Sequence, residues 1–238
     1  MRTAFHEELA HVSDQLVEMT RLTASALNRA TQALMDADLE LAESVITADE
    51  HIDAIRRDLD NRAVDILARQ QPVATDLRIL VTSMRMSSDL ERMGDLARHV
   101  AKVTRLRYPE TAIPARLRAT FSEMGRIAEQ MVIKTGSIIA NKDLQGAAHL
   151  KDDDDRMDQL HRDVFKILLS DDWDGGIEAA VDATLLSRYY ERFGDHAVSV
   201  AHRVVYLVTG EWYDEVDLDE ALEQRTADSA RGTAPVRD

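Results

Sequence analysis

Cysteine is absent from all 238 residues. That excludes disulfides, thiolate metal sites and cysteine nucleophiles, so any metal would have to be held by oxygen or imidazole. Glycine (9) and proline (4) are scarce, and aromatic residues make up only 5% of the chain. Ala, Leu, Arg, Glu, Asp and Met dominate instead, the composition of long packed helices, and an all-α fold follows. Long apolar runs are missing too. The longest unbroken one covers five residues, 204–208, far short of a membrane span. The N-terminus carries acids at Glu7 and Glu8 and lacks the apolar stretch of a signal peptide, so a cytoplasmic protein with no direct membrane insertion is expected. Positive charge is also in short supply. Against 44 Asp+Glu stand 29 Lys+Arg, a net charge of −15, which repels phosphate backbones and makes nucleic acid an improbable partner; cations and basic protein surfaces fit better.

What the chain does contain is heptad periodicity. Phe5, Leu9, Val12, Leu16, Met19, Thr23, Ala26, Ala30 and Ala33 alternate at spacings of four and three, the seam of a long bundle helix. A second seam runs through Ala48, Ile52, Ile55, Leu59, Arg62 or Ala63, and Ile66. A third starts at Leu77, Leu80, Met84 and Ser87, after the Gln71-Pro72 break. Helices of roughly 30 residues would each be about 45 Å long. Pro109 and Pro114 then interrupt the pattern, because proline removes a helix donor and restrains its predecessor. Periodicity resumes through Leu117, Phe121, Met124, Met131 and Ile138, and again through Leu150, Met157, Leu160, Val164 and Ile167. A sixth helix is predicted from about Ile177 to Thr209, ending at Gly210. The expected organisation is two tandem three-helix units, 1–108 and 109–213, followed by an acidic disordered tail over 214–238.

The two units repeat a segment. DLERMGDLARHVA at 89–101 matches YYERFGDHAVSVA at 189–201, and DEHID at 49–53 matches DDRMD at 154–158. The first match is offset by 100 residues and the second by 105, so a shorter connection before the sixth helix reconciles them. Each unit then holds two acid pairs at i, i+4: Asp49/Asp53 with Glu91/Asp95, and Asp154/Asp158 with Glu191/Asp195. That spacing places both carboxylates on one helix face. At this acid frequency roughly eight such pairs arise by chance, so a single pair reads as a solvated acidic face.

Register changes that reading. Continuing the third seam lands on Glu91 and Gly94, with Asp95 beside it. Asp49 and Asp53 flank the seam residues Ala48 and Ile52, and the stripe through Val198 and Val205 extends back to Asp195, Glu191 and Arg188. Carboxylates crowded at a helix seam must take up protons, find basic partners or bind a cation. Oxygen-only donors suit magnesium, manganese, iron or zinc. Metal binding is the leading reading, with salt bridges to the interleaved arginines its rival. Gly94 and Gly194 lie inside helices, where glycine costs about 1 kcal/mol, and so point to a close neighbour or an ion cluster.

Other signals carry less. In HEELAH (6–11) the histidines are five apart, not the four of a zinc-protease helix. Glu8 and His11 form a Glu-x-x-His without the second copy a di-iron bundle needs. Lys134-Thr135-Gly136 has no Ser-x-x-Lys to accompany it, His196 is best read as a hydrogen-bond partner of an acid, and no Walker-type loop is present.

PVATDLRIL (72–80), the two ER-x-GD segments and the closing VVYLVTGE (204–211) resemble the PhoU family over residues 5 to 212. The resemblance implies a pair of three-helix bundles, each with a multinuclear metal site. The ligands it implies are Asp49, Asp53, Glu91 and Asp95 in one half and Asp154, Asp158, Glu191 and Asp195 in the other, with Glu50 and Asp155 as further candidates. It also implies a cytoplasmic adaptor between a Pst-type phosphate ABC transporter ATPase and a PhoR-type sensor histidine kinase, repressing the phosphate-starvation response. One departure stands out. The second half has Tyr189-Tyr190 for Asp89-Leu90 and lacks the DLR of 76–78, so the two sites are expected to differ in nuclearity or affinity. With no nucleophile in view, a non-enzymatic regulator acting as a homodimer is expected; the alternative is a carboxylate-bridged metal enzyme, an oxidase or phosphohydrolase.

Overall fold

The computed structural model describes residues 2–212, with side chains from residue 7, so the expected tail at 214–238 and the side chain of the seam position Phe5 lie outside what is described. Six long helices account for most of it: α1 (Arg2–Asp36), α2 (Leu39–Gln70), α3 (Ala74–Arg107), α4 (Arg118–Asn141), α5 (Leu144–Leu168) and α6 (Gly176–Thr209), with a short 3₁₀ turn (Ala115–Leu117) leading into α4. Among the described residues there is no strand, and no helix is long and apolar enough to cross a membrane.

The helix boundaries have local causes. Asp38 accepts a hydrogen bond from the Leu41 amide (2.9 Å) at the start of α2. Asp143 does the same for the Gly146 amide (3.0 Å) at the start of α5. Each satisfies an amide that the first helical turn leaves unbonded. The two caps are 105 residues apart, the offset of the acid pairs, so the repeat extends to the helix starts. At the other end, Gly210 takes the left-handed conformation (φ 82°) and its amide bonds the Tyr206 carbonyl, closing α6 where expected.

Each half is a three-helix unit, and the units interlock. α1 packs on α2 and α3 and also on α4, while α6 packs on α5 and α4 and also on α3. The middle of the molecule is therefore a four-helix layer of α1, α3, α4 and α6, flanked by α2 on one side and α5 on the other. This widens α1's apolar face: Leu27 and Leu34 are buried beside the expected seam residues Val12, Leu16, Met19, Ala30 and Ala33. The α1–α4 contact is close because it is built on small residues. A Cβ on Gly125 would lie 2.5 Å from Thr31 Cγ2, and one on Gly136 would lie 2.6 Å from Thr20 Oγ1. Polar links tie the halves together as well. Thr31 Oγ1 and the fully buried Tyr190 hydroxyl are 2.8 Å apart. Arg107 of α3 grips Asp182 of α6 through Nε (2.5 Å) and Nη2 (3.1 Å).

The α2 seam sits one residue away from its expected position. Ala48 is exposed and Asp49 is buried, in line with Ala42, Val45, Ile52 and Leu59. The carboxylate is therefore part of the packing stripe itself.

Candidate functional site

Asp49 projects from the middle of α2 onto α3 and is only 5% exposed. Gly94 of α3 makes room for it: a Cβ there would meet Asp49 Oδ1 at 3.2 Å and Ile52 Cδ1 at 2.9 Å. Burial pushes the Asp49 carboxyl up to about 6; Arg98 opposes this, and Asp95, Asp53 and Glu91 reinforce it. Glu91 is raised for the same reasons, first by burial and then by Asp95, with Asp53 adding to the effect and Arg56 opposing it. Asp53, Glu91 and Asp95 thus stand within electrostatic reach of Asp49, and Asp53 and Asp95 within reach of Glu91.

The second half reproduces the arrangement. Gly194 of α6 faces Asp154 of α5, and a Cβ there would lie 2.9 Å from Asp154 Oδ1. Glu191 is buried, and its carboxyl is raised by burial and by Asp195 and Asp158. Asp195 is raised by burial and by Asp158, against Arg188. Asp158 lies 3.4 Å from Arg162 on its own helix. Glu50 and Asp155 are exposed and point away from the seam.

Arginine is the counter-charge at both places. Arg98 reaches Asp49 Oδ2 at 2.7 Å and also pairs with Asp95. Arg188 pairs with Glu191. The arginines of the ER-x-GD segments, Arg92 and Arg192, are exposed instead. The guanidiniums that matter come from one turn after Asp95 and one turn before Glu191, positions the two halves do not share; only the three-residue spacing to an acid signals them. A further group that sequence reasoning passed over is His161 on α5, which feels Asp158 and Asp195 and is lowered chiefly by burial. Its Nδ1 sits 3.1 Å from Ser187 Oγ. His196 turns out to be a hydrogen-bond partner of an acid, as expected. The acid is Asp89 of α3 (3.1 Å), which also accepts from Arg203 Nε (2.8 Å). Burial alone would raise the Asp89 carboxyl, but these two donors hold it below the ordinary range.

Among the described residues no three acids or histidines are arranged to hold a metal ion. The donor chemistry nonetheless fits a hard or borderline cation: carboxylates only, brought together at a helix seam, with Asp49, Glu91, Glu191 and Asp195 raised in pKa and Arg98 and Arg188 among the opposing charges. Closing such a set around an ion requires Arg98 and Arg188 to turn aside. Their side chains are 29% and 49% exposed.

The duplicated architecture is shared with known proteins. The family model for the PhoU domain matches twice, over residues 16–104 and 121–204. The chain is 47% identical over 210 residues to the phosphate-specific transport system accessory protein PhoU homolog 2 of Mycobacterium tuberculosis, covering 88% of this chain and 99% of that one. Identity to PhoU homolog 1 of Mycobacterium leprae is 45% over 215 residues, 90% of this chain and 97% of that protein. Among solved structures, PhoU from Pseudomonas aeruginosa superimposes with a TM-score of 0.79 at 32% identity, covering 87% of this chain and 100% of that chain. The phosphate transport system regulatory protein PhoU from Streptococcus pneumoniae gives 0.78 at 26%, covering 88% and 99%. With both halves matched by the domain and full-length relatives above 40% identity, the chain belongs to the PhoU family.

Proposed function

We propose that this protein is a non-enzymatic regulator of phosphate uptake. In this reading it is a cytoplasmic adaptor that couples a Pst-type phosphate ABC transporter ATPase to a PhoR-type sensor histidine kinase and represses the phosphate-starvation response, acting as a homodimer. The names of its relatives support the transport connection. The observation that carries the metal-binding part is the pair of equivalent acid clusters, each seated against a glycine that clears space for a carboxylate of the neighbouring helix. Asp49, Asp53, Glu91 and Asp95 would hold metal in the first half, and Asp154, Asp158, Glu191 and Asp195 in the second. A bound cation supplies a fixed positive charge that neutralises the crowded acids. Arg98 and Arg188 supply that charge when no ion is bound.

An oxidase or phosphohydrolase would instead need an open coordination position and a substrate pocket beside the metal. The deciding experiment combines E91Q, D95N, E191Q and D195N in one chain. Elemental analysis should find stoichiometric metal in the parent and none in the variant, and a phosphate-starvation reporter should lose repression. Intact repression without metal would remove the sites from the signalling role. A parent protein free of bound metal would leave the regulatory reading standing without its metal.

A further inference from the structure

An apolar groove of about 610 Å³ opens at the tip of the second half, between the end of α5 and the start of α6. Phe165 and Leu169 form one wall and Ile177, Val181 and Leu185 the other, with Trp173 at its end. These are not side chains left partly uncovered by chance. Leu169 is 82% and Ile177 85% exposed, on a protein whose other long aliphatic residues are mostly buried. An apolar patch of this kind marks a binding surface.

The internal repeat supports the same reading. The α2/α5 offset equates Leu169 with Val64, and the α3/α6 offset equates Ile177 and Val181 with Leu77 and Val81, all of them exposed. The first half interrupts the patch with charge. Asp60 stands where the second half has Phe165, and Arg85 where it has Leu185. Only the second half therefore carries a continuous apolar floor at this position.

Shape and charge narrow the occupant. Ile177, Val181 and Leu185 are spaced i, i+4, i+8 along about 12 Å of α6, a strip facing the α5 wall, which suits the apolar face of a single docked helix. The rim is acidic. Asp171, Asp172 and Asp174 are exposed in the connection; Glu178 beside Ile177 is already paired with Arg107, and Arg116 donates to the Asp172 carbonyl at 2.9 Å. A second copy of this chain, itself at −15, would bring like charge to that rim, and so would an anionic membrane surface. The chain's own residues beyond Trp212 open with Asp214, Glu215, Asp217, Asp219 and Glu220, the wrong sign again, and start at the opposite end of α6. We propose that this groove docks an amphipathic α-helix of a partner protein, with Leu- or Phe-type anchors at three- and four-residue spacing and Lys or Arg flanking them. This inference stands independently of whether the acid clusters hold metal.

A benzophenone photo-crosslinker at Val181 of the full-length protein, irradiated in the cells the protein comes from, tests this. The crosslinked segment is then sequenced by mass spectrometry. The expected product is a segment of another protein with a 3–4 apolar repeat and basic flanks. The synthetic peptide of that segment should bind the purified chain and weaken at least tenfold in the Leu169→Glu/Ile177→Glu variant. It should also weaken between 0.1 and 0.5 M NaCl, about a fivefold change in ionic strength that screens exposed charge pairs. Both substituted side chains face water, so the thermal melt of the variant should match the parent. Crosslinks to a second copy, to lipid or to the chain's own C-terminal residues would each overturn the proposal, as would no crosslink at all or peptide binding indifferent to the double substitution.

Discussion

Asp49 is held at the first acid cluster at a cost in stability. Its carboxyl titrates at about 6 in the folded protein, against about 3.9 in an unfolded chain. The folded state therefore binds this proton more tightly, and stability is lost as pH rises from about 4 to about 6; above that, the deficit is on the order of 2 to 3 kcal/mol. Asp49→Asn should accordingly stabilise the metal-free protein at pH 8 by about 1 to 3 kcal/mol, with the gain vanishing near pH 4. Urea melts across that range in the presence of a chelator would show it, and a pH-independent difference would contradict the account. Arg98→Ala should do the opposite, since it leaves Asp49 and Asp95 without their guanidinium. A loss of about 2 to 4 kcal/mol in the metal-free protein is expected, alongside tighter Mn²⁺ binding by calorimetry if the arginine and the ion compete for the same oxygens.

Between elements, the α1–α4 contact decides how the halves meet. Thr31 presents its branched Cβ to Gly125, and a Cβ on that glycine would come within 3.2 Å of Thr31 Cβ and closer still to both of its branches. Rotation of a stiff β-branched side chain cannot relieve this, so the helices must separate. Gly125→Ala would gain about 1 kcal/mol of helix propensity and lose about 1 to 3 kcal/mol to overpacking, besides disturbing the Thr31–Tyr190 hydrogen bond. A net loss of about 1 to 2 kcal/mol is expected in denaturant melts. Gly136→Ala should cost less, because its nearest neighbour is the Thr20 hydroxyl and the Thr20 Cβ stands back at 3.4 Å. Equal effects at the two glycines would mean that the helix approach is not what they set.

For the molecule as a whole, the interlocking matters more than the repeat. A chain cut to residues 1–108 keeps α1, α2 and α3 but strips α1 of α4 and α3 of α6. It also leaves Asp89 without His196 and Arg203, and Arg107 without Asp182. This fragment should self-associate or fail to melt cooperatively, as size-exclusion chromatography and circular dichroism would report. A monomeric fragment with a sharp transition would show that each half is self-sufficient.

Much of this was legible in the linear chain, and the limits are instructive. Helix number and ends followed from periodicity and from a few local signals such as Pro109 and Gly210, because helix formation depends on neighbours within a turn or two; the Asp38 and Asp143 caps emerged only with the structure. The eight acids followed from two offset repeats and their register. The α2 register was misjudged by one residue, placing Ala48 rather than Asp49 on the buried stripe, since an acid is not expected at a core position. Arg188 stood on the acidic stripe in the sequence, but Arg98 went unnamed, because the arginine partners sit at different places in the two halves. Sequence alone determined the all-helical class, the duplication and the acid pairs, all of which are matters of composition and spacing. Tertiary structure decided that α1 and α6 each serve both halves, that Arg98 of α3 pairs with Asp49 of α2, and that the α5–α6 tip leaves an apolar groove open, because each depends on which faces of distant helices meet and which do not.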